Sequence, residues 1–428
     1  MRMLVRGGRV VDPASGYDHV VDVCLAAGRI VAIGHTPADF VPQRTLEAGG
    51  LVVAPGLVDL AARLREPGLE HKATLESEMR AAAAGGVSAL ACPPDTDPPL
   101  DEPGLVEMLK FRARNLPGPR VYPVGALTWG LRGEGITEMS ELTEAGCLAF
   151  SQADAPLADT QVLMRAMQYA STFGYPVWLR PQDPYLARNG IAHEGAIAGA
   201  LGLVGIPVVA ETLAIGAILQ LMRVTGARVH LCRLSSAAGV AAVRAAKAEG
   251  LPLTCDVAAH HLHLTDAELL RFDSQAHVVP PLRSEADRAA LVAGLADGSI
   301  DAVCSDHAPH DDEAKEVPFG ESEPGASGVE LLLPLTLGWA REAGLTLPAA
   351  LATVSSKPAE VLGLGLGRLV EGAPADLCIF DAQARWTVTR ESLRSQGRNS
   401  PFLGRELTGR VCYTVIDGHL DFEAAASR

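Results

Sequence analysis

The first fifty residues alternate apolar and polar positions in short runs, Met3-Leu4-Val5, Arg9-Val10-Val11, Val20 to Cys24 and Arg29 to Ile33, broken by Gly, Pro and Asp. Period-two alternation with such breakers predicts short strands joined by turns, hence a small β module. From about Leu51 the pattern changes to brief apolar runs followed by Ala-rich stretches with helical spacing. Leu51 to Ala54 precedes Thr74 to Ala84, Ala89 to Cys92 precedes Leu105 to Asn115, and Val229 to Cys232 precedes Ala237 to Glu249. A strand-helix unit repeated seven or eight times over roughly three hundred residues predicts parallel β/α architecture, best satisfied by a closed barrel. Short strands return near the C-terminus at Ala375 to Phe380, Arg410 to Ile416 and Gly418 to Leu420. The expected partition is therefore residues 1–51 and 363–428 as two halves of one β module, with residues 52–362 as an inserted (β/α)8 barrel.

Composition narrows the classes. Of 428 residues, 48% are hydrophobic and 20% charged, which suits a globular chain with a large core and excludes disordered and collagenous ones. The formal charge of −15 and the lack of any basic run argue against nucleic acid and anionic lipid as partners. Eight scattered cysteines without a CxxC pair read as free thiols, which predicts a cytoplasmic protein. No signal-like start is visible, and no apolar run reaches the ~18 residues of a membrane span. Serine-hydrolase elbows, phosphate-binding P-loops and HExxH helices are absent. Gly363-Leu364-Gly365-Leu366-Gly367 precedes a strand rather than opening a helix, so it reads as a turn.

Two segments carry more specific information: Ala54-Pro55-Gly56-Leu57-Val58-Asp59, continuing to Arg65-Glu66-Pro67-Gly68, and Cys304-Ser305-Asp306-His307-Ala308-Pro309-His310. With His193-Glu194-Gly195, His260-His261-Leu262, Pro280-Pro281-Leu282-Arg283 and Arg398-Asn399-Ser400-Pro401-Phe402, they resemble dihydroorotases of the amidohydrolase superfamily along essentially the whole chain. The resemblance implies an α/β fold, a (β/α)8 TIM-like barrel with a small β-sandwich built from both termini. It also implies zinc at the strand ends and the reversible cyclisation of carbamoyl aspartate to dihydroorotate.

Hydrolytic chemistry of that kind needs imidazole and carboxylate ligands that hold a divalent ion and lower the pKa of its water. At the positions where the family has ligands this chain has Ala61, Arg63, Arg180 and Arg233. A methyl group has no lone pair, and a guanidinium stays protonated. Asp306 remains at the base position, Asp59 remains behind it, and the bridging carboxylate of the family is gone, with only a shifted Asp154 nearby. Among substrate-contact positions Arg65 and His310 persist, an Asn is replaced by Asp95, and Val279 stands before the Pro-Pro-Leu-Arg run. The three arginines are expected to replace metal charge and to pair with Asp306 and with Asp59 or Asp95, leaving no metal cofactor. His260, His261 and His263 are read as structural imidazoles on a strand, His71, His193 and His277 as surface or helix-start residues, and Asp311 to Glu313 as a solvated run. Members of the family that lack catalysis assemble aspartate transcarbamoylase. The resemblance thus implies a homo-oligomer that partners the transcarbamoylase catalytic chain. The competing expectation is an active amidohydrolase, on dihydroorotate or on a hydantoin- or allantoin-type cyclic amide, with unusual metal use.

Overall fold

The alternating N-terminal residues form Arg2–Asp12, paired antiparallel with Tyr17–Ala26, which turns back as Arg29–Ile33. Ala27 and Gly28, both at positive φ, make the two-residue hairpin whose twist matches its strands. Asp417 and Gly418 repeat this device between the C-terminal strands Glu406–Ile416 and His419–Glu423. Both termini share one eight-stranded sheet, ordered 419–423, 406–416, 377–387, 52–55, 2–12, 17–26, 29–33, with Arg44–Glu47 beside Arg2–Asp12. Met3, Val5, Val10, Val23, Ile30, Val53, Leu377, Ile379 and Val415 form its shared core, so neither half closes without the other. Full burial of each such side chain is worth about 1.5–3 kcal/mol. The computed structural model describes residues 2–425.

One expected boundary moves. Val52–Pro55 pairs with Arg2–Asp12 and Leu377–Thr387, so residue 52 belongs to the terminal sheet, not the barrel. Its four residues are buried on both faces between two sheet strands, which a run of apolar residues cannot distinguish from a barrel strand.

The barrel begins at Leu57–Asp59 and continues through Val87–Cys92, Arg120–Pro123 with Gly125–Ala126, Phe150–Ser151, Val177–Leu179, Val229–Leu231, Leu253–Ala258 and Ala302–Cys304. The paired staves are parallel. Closure comes from a parallel bridge between Ala62 and His307, just beyond the first and last staves. Small side chains, Ala89, Ala91, Ala149, Ala258 and Ala302, line the interior around Trp178. Helices Leu75–Ala84, Ala237–Ala248 and Glu285–Ala296 start at Thr74, Ser236 and Ser284, whose hydroxyls accept backbone N–H bonds.

Helix Val208–Thr225 is, by length and composition alone, apolar enough to cross a membrane, contrary to the sequence expectation. It packs instead against helices Thr160–Phe173 and Ala237–Ala248, and it buries Glu211, which accepts hydrogen bonds from the backbone and hydroxyls of Ser235 and Ser236. All eight cysteines are free, six of them buried.

Candidate functional site

In a parallel barrel the loops at the C-terminal strand ends converge, so residues distant in sequence meet there. Arg63, Asp154, Arg180, Arg233 and Asp306 follow five different staves and gather at that end. Ala153, Arg233 and Asp306 hold left-handed backbones at φ of 50, 56 and 46°, as does Arg65 at 64°. Such conformations cost non-glycine residues energy and persist where surrounding contacts over-determine them.

Asp154 is the hub. Its Oδ2 lies 2.6 Å from Arg63 Nη2, and its Oδ1 lies 2.6 Å from both Arg180 Nε and Arg233 Nη2. Asp306 Oδ1 accepts from Arg233 Nη1 at 2.8 Å and from Arg63 Nη1 at 3.2 Å. Arg63 Nε donates to Asp95 Oδ2 at 2.7 Å, and Arg180 Nη1 to Gln182 Oε1 at 2.6 Å. Three guanidiniums thus face three carboxylates, and the cluster is formally neutral.

The protonation states follow from this packing. Burial alone would raise the Asp154 pKa, but Arg233, Arg63 and Arg180 hold it well below the carboxylate range. Burial lowers Arg180, whereas for Arg63 and Arg233 the facing carboxylates outweigh burial and raise the pKa. Asp306 is raised, because burial there outweighs Arg233 and Arg63.

This donor set does not fit the zinc that the family resemblance implies. Ala61 and the three arginines offer no lone pair, and the carboxylates of Asp154 and Asp306 are already engaged by N–H donors. Only about 30 Å3 of cavity remains between Ala61, Arg63, Ser151, Trp178, Cys232 and Arg233. A larger cavity of about 300 Å3 opens beside Asp154 and Arg180, bounded by Gln182, Tyr185 and Leu213.

Other expected site residues are placed differently. Asp59 meets no arginine among the described residues: fully buried, it accepts the N–H and hydroxyl of Ser305, and burial lifts its pKa to about 6. The strand that carries it directs its carboxylate beneath the mouth, toward the eighth stave's end. Asp95 takes the arginine contact. Arg65 donates from Nε to the Pro309 carbonyl at 2.9 Å and lies 3.2 Å from His310 Nε2. With no carboxylate salt bridge among the described residues, its pKa falls to about 10 through burial and the nearby charge of Arg63. The Val279 carbonyl lies 3.4 Å from Arg233 Nη1.

The histidine expectations need correction. Ala259–Leu262 is a single 3-10 turn rather than strand, so His260 and His261 are not on opposite faces; their rings lie 4.6 Å apart. His277 is buried, not superficial, at 2.9 Å from Ser322 Oγ. His307 donates from Nε2 to buried Glu78 at 2.7 Å, while its Nδ1 accepts from Gly328 N–H, which makes it a tie between segments. Asp312 and Glu313 are exposed, and Asp312 pairs with Arg390 at 2.6 Å.

Two participants escaped the sequence reading. The hub role of Asp154 depends on a left-handed turn at Ala153 that no local motif announces. Lys315, two residues past the run Asp311 to Glu313, is buried and donates to the carbonyls of Glu323 at 2.6 Å and of Ser274 and His277 at 3.2 Å. Its only signal was an isolated cation amid acids.

Comparison with known proteins agrees with this architecture. Residues 50–238 match the dihydro-orotase-like family and residues 207–420 the amidohydrolase family. A dihydroorotase-like protein of Pseudomonas aeruginosa is 49% identical over 99% of this chain and 100% of its own length. A dihydroorotase of Geobacter sp. (strain M21) is 39% identical over 99% of this chain and 100% of its own. Among solved structures, the L-hydantoinase (dihydropyrimidinase) of Arthrobacter aurescens superposes with a TM-score of 0.87 at 25% identity, covering 98% of this chain and 96% of that one.

Proposed function

The chain belongs to the dihydroorotase-like amidohydrolases, and within that family we propose that it is a non-hydrolytic member, a cytoplasmic homo-oligomer that assembles with the catalytic chain of aspartate transcarbamoylase. One observation carries this reading: Arg63, Arg180 and Arg233 close on Asp154 and Asp306 where the reaction would need a metal-bound water. Asp306 could act as a base only if its carboxylate faced a substrate, and here two guanidiniums cover it. What the chain keeps is shape: the whole barrel, the two-termini sheet and the frames around Asp59 and Asp306. A partner reads shape.

A second reading has a specific observation behind it. Among the described residues Arg65 has no carboxylate salt bridge, and the cavity of about 300 Å3 next to Arg180 is of ligand size. Hydrolysis of dihydroorotate or of a hydantoin-type ring by unusual metal use is therefore the alternative. The test is co-expression with the transcarbamoylase catalytic chain, size-exclusion chromatography and assays of both activities. Co-elution with stabilised transcarbamoylase and no ring opening is the expected result. Separate elution overturns the partner assignment, and turnover that Asp306→Ala abolishes replaces it with the enzyme reading.

A further inference from the structure

Beneath the arginine cluster lies a second group of chemically capable side chains. His230 lies on the stave Val229–Leu231 and Cys232 just past its end, two residues on and so on the same side, and Asp256 meets them from the next stave. One ligand atom from each, a ring nitrogen, a sulfur and a carboxylate oxygen, lies within 4.8 Å of the others. His230 Nε2 is 2.9 Å from Asp256 Oδ2, so a proton or a cation must stand between them. His230 Nδ1 is 2.8 Å from Thr254 Oγ1, and Asp256 Oδ1 accepts the Arg233 N–H at 2.6 Å with Cys304 Sγ at 3.5 Å. Outer partners of this kind, a hydroxyl on the far ring nitrogen and donors on the far carboxylate oxygen, are what orients metal ligands in proteins.

We propose that His230, Cys232 and Asp256 form a buried site for a zinc-like divalent ion, distinct from the family's position now held by Arg233. Imidazole, thiolate and carboxylate are the ligand types zinc prefers. Zinc bonds of about 2.0–2.3 Å need ligand atoms a little over 3 Å apart, a small movement from this arrangement. One thiolate and one carboxylate neutralise the dication, so no net charge is buried beneath the arginines. On binding, the Cys232 thiol proton leaves to solvent, and the His230 ring proton moves from Nε2 to Nδ1 as the Thr254 hydroxyl turns to accept it. Cys232 is the partly exposed member and lines the cavity of about 30 Å3, which admits one water as fourth ligand. That space is too small for a substrate, so the ion ties two neighbouring staves and performs no hydrolysis. This inference goes beyond the scaffold reading and does not depend on it.

The experiment titrates cobalt(II) alone into the chelator-treated full-length protein. One equivalent should bind with tetrahedral visible bands and a near-ultraviolet thiolate-to-cobalt charge-transfer band. Cys232→Ser should lose the charge-transfer band and weaken binding at least about 10-fold, Thr254→Val should weaken it about 10–100-fold, and Cys412→Ser, on the terminal sheet, should leave it unchanged. Circular dichroism of each metal-free variant establishes that it is folded. Absence of cobalt binding to the wild type, binding without the charge-transfer band, or equal binding by folded Cys232→Ser each overturns the site.

Discussion

Arg233 Nη2 stands 2.6 Å from Asp154 Oδ1, spanning the stave Val177–Leu179 that separates their own strands. The pair clamps three neighbouring staves at the barrel mouth. Breaking a buried pair by removing one partner costs more than the pair contributes, because the remaining charge is left without compensation. Asp154 is 34% exposed, and Arg63 and Arg233 keep Asp95 and Asp306, so Asp154→Asn strands only the buried Arg180 and should cost about 2–3 kcal/mol in urea denaturation. The exposed pair Arg223 and Glu249 is the contrast, and Glu249→Gln there should leave the urea midpoint nearly unchanged. Equal effects at the two sites would remove Asp154 from its role as hub.

Stability should fall in mild acid because histidines are buried neutral. Burial pushes His260 and His261 down to about 3 and His277 to about 4, with Arg233, His260 and Lys315 respectively adding to the effect. For a base with a lowered folded pKa, the unfolded chain binds more protons between the folded and unfolded values. Stability therefore rises with pH across that window and is lost as pH drops from about 6.5 toward 3–4. Melting temperatures from pH 7 to 4.5 should show this slope, and His261→Gln should lower it by the share of one histidine among six, since His193, His263 and His310 are lowered as well. A variant slope parallel to that of the wild type would contradict neutral burial of His261.

Lys315 fastens the segment 311–324 to residues 274–277 through the Ser274 and His277 carbonyls and folds the segment on itself through that of Glu323, and burial lowers its pKa to about 7. Lys315→Met leaves those carbonyls unsatisfied, at about 1–3 kcal/mol. The loss should be local: faster proteolysis within 311–324 and faster amide exchange at Glu323 and Gly325, whose N–H groups bond Ala314 and His277 carbonyls. Unchanged exchange at both amides would mean the segment is held by other contacts.

Gly68 sits at φ +89°, where a Cβ would fall 1.9 Å from the Asp97 carbonyl oxygen. Gly68→Ala combines a left-handed backbone with a backbone clash and should destabilise by about 2 kcal/mol or more. Thermal melting checks it; a change below about 0.5 kcal/mol would mean that the two loops separate without strain.

Much of the architecture is written in local pattern. Period-two runs at both ends and repeated strand-helix units between them specify a sheet flanking a barrel, because each element must bury the face its periodicity defines. The identities of residues 61, 63, 180 and 233 also settled, without coordinates, that four positions cannot donate lone pairs to a metal, since that is a property of the side chain alone. Tertiary structure decided the rest. Val52–Pro55 joined the terminal sheet because its hydrogen-bond partners, 2–12 and 377–387, come from the far ends of the chain. Asp59 turned toward Ser305, and Asp154 became the shared counter-ion, because pairing is set by where loop ends converge and not by spacing along the sequence. His230, Cys232 and Asp256 make a group only because parallel register sets one stave against the next, which puts side chains more than twenty residues apart within reach of a single ion.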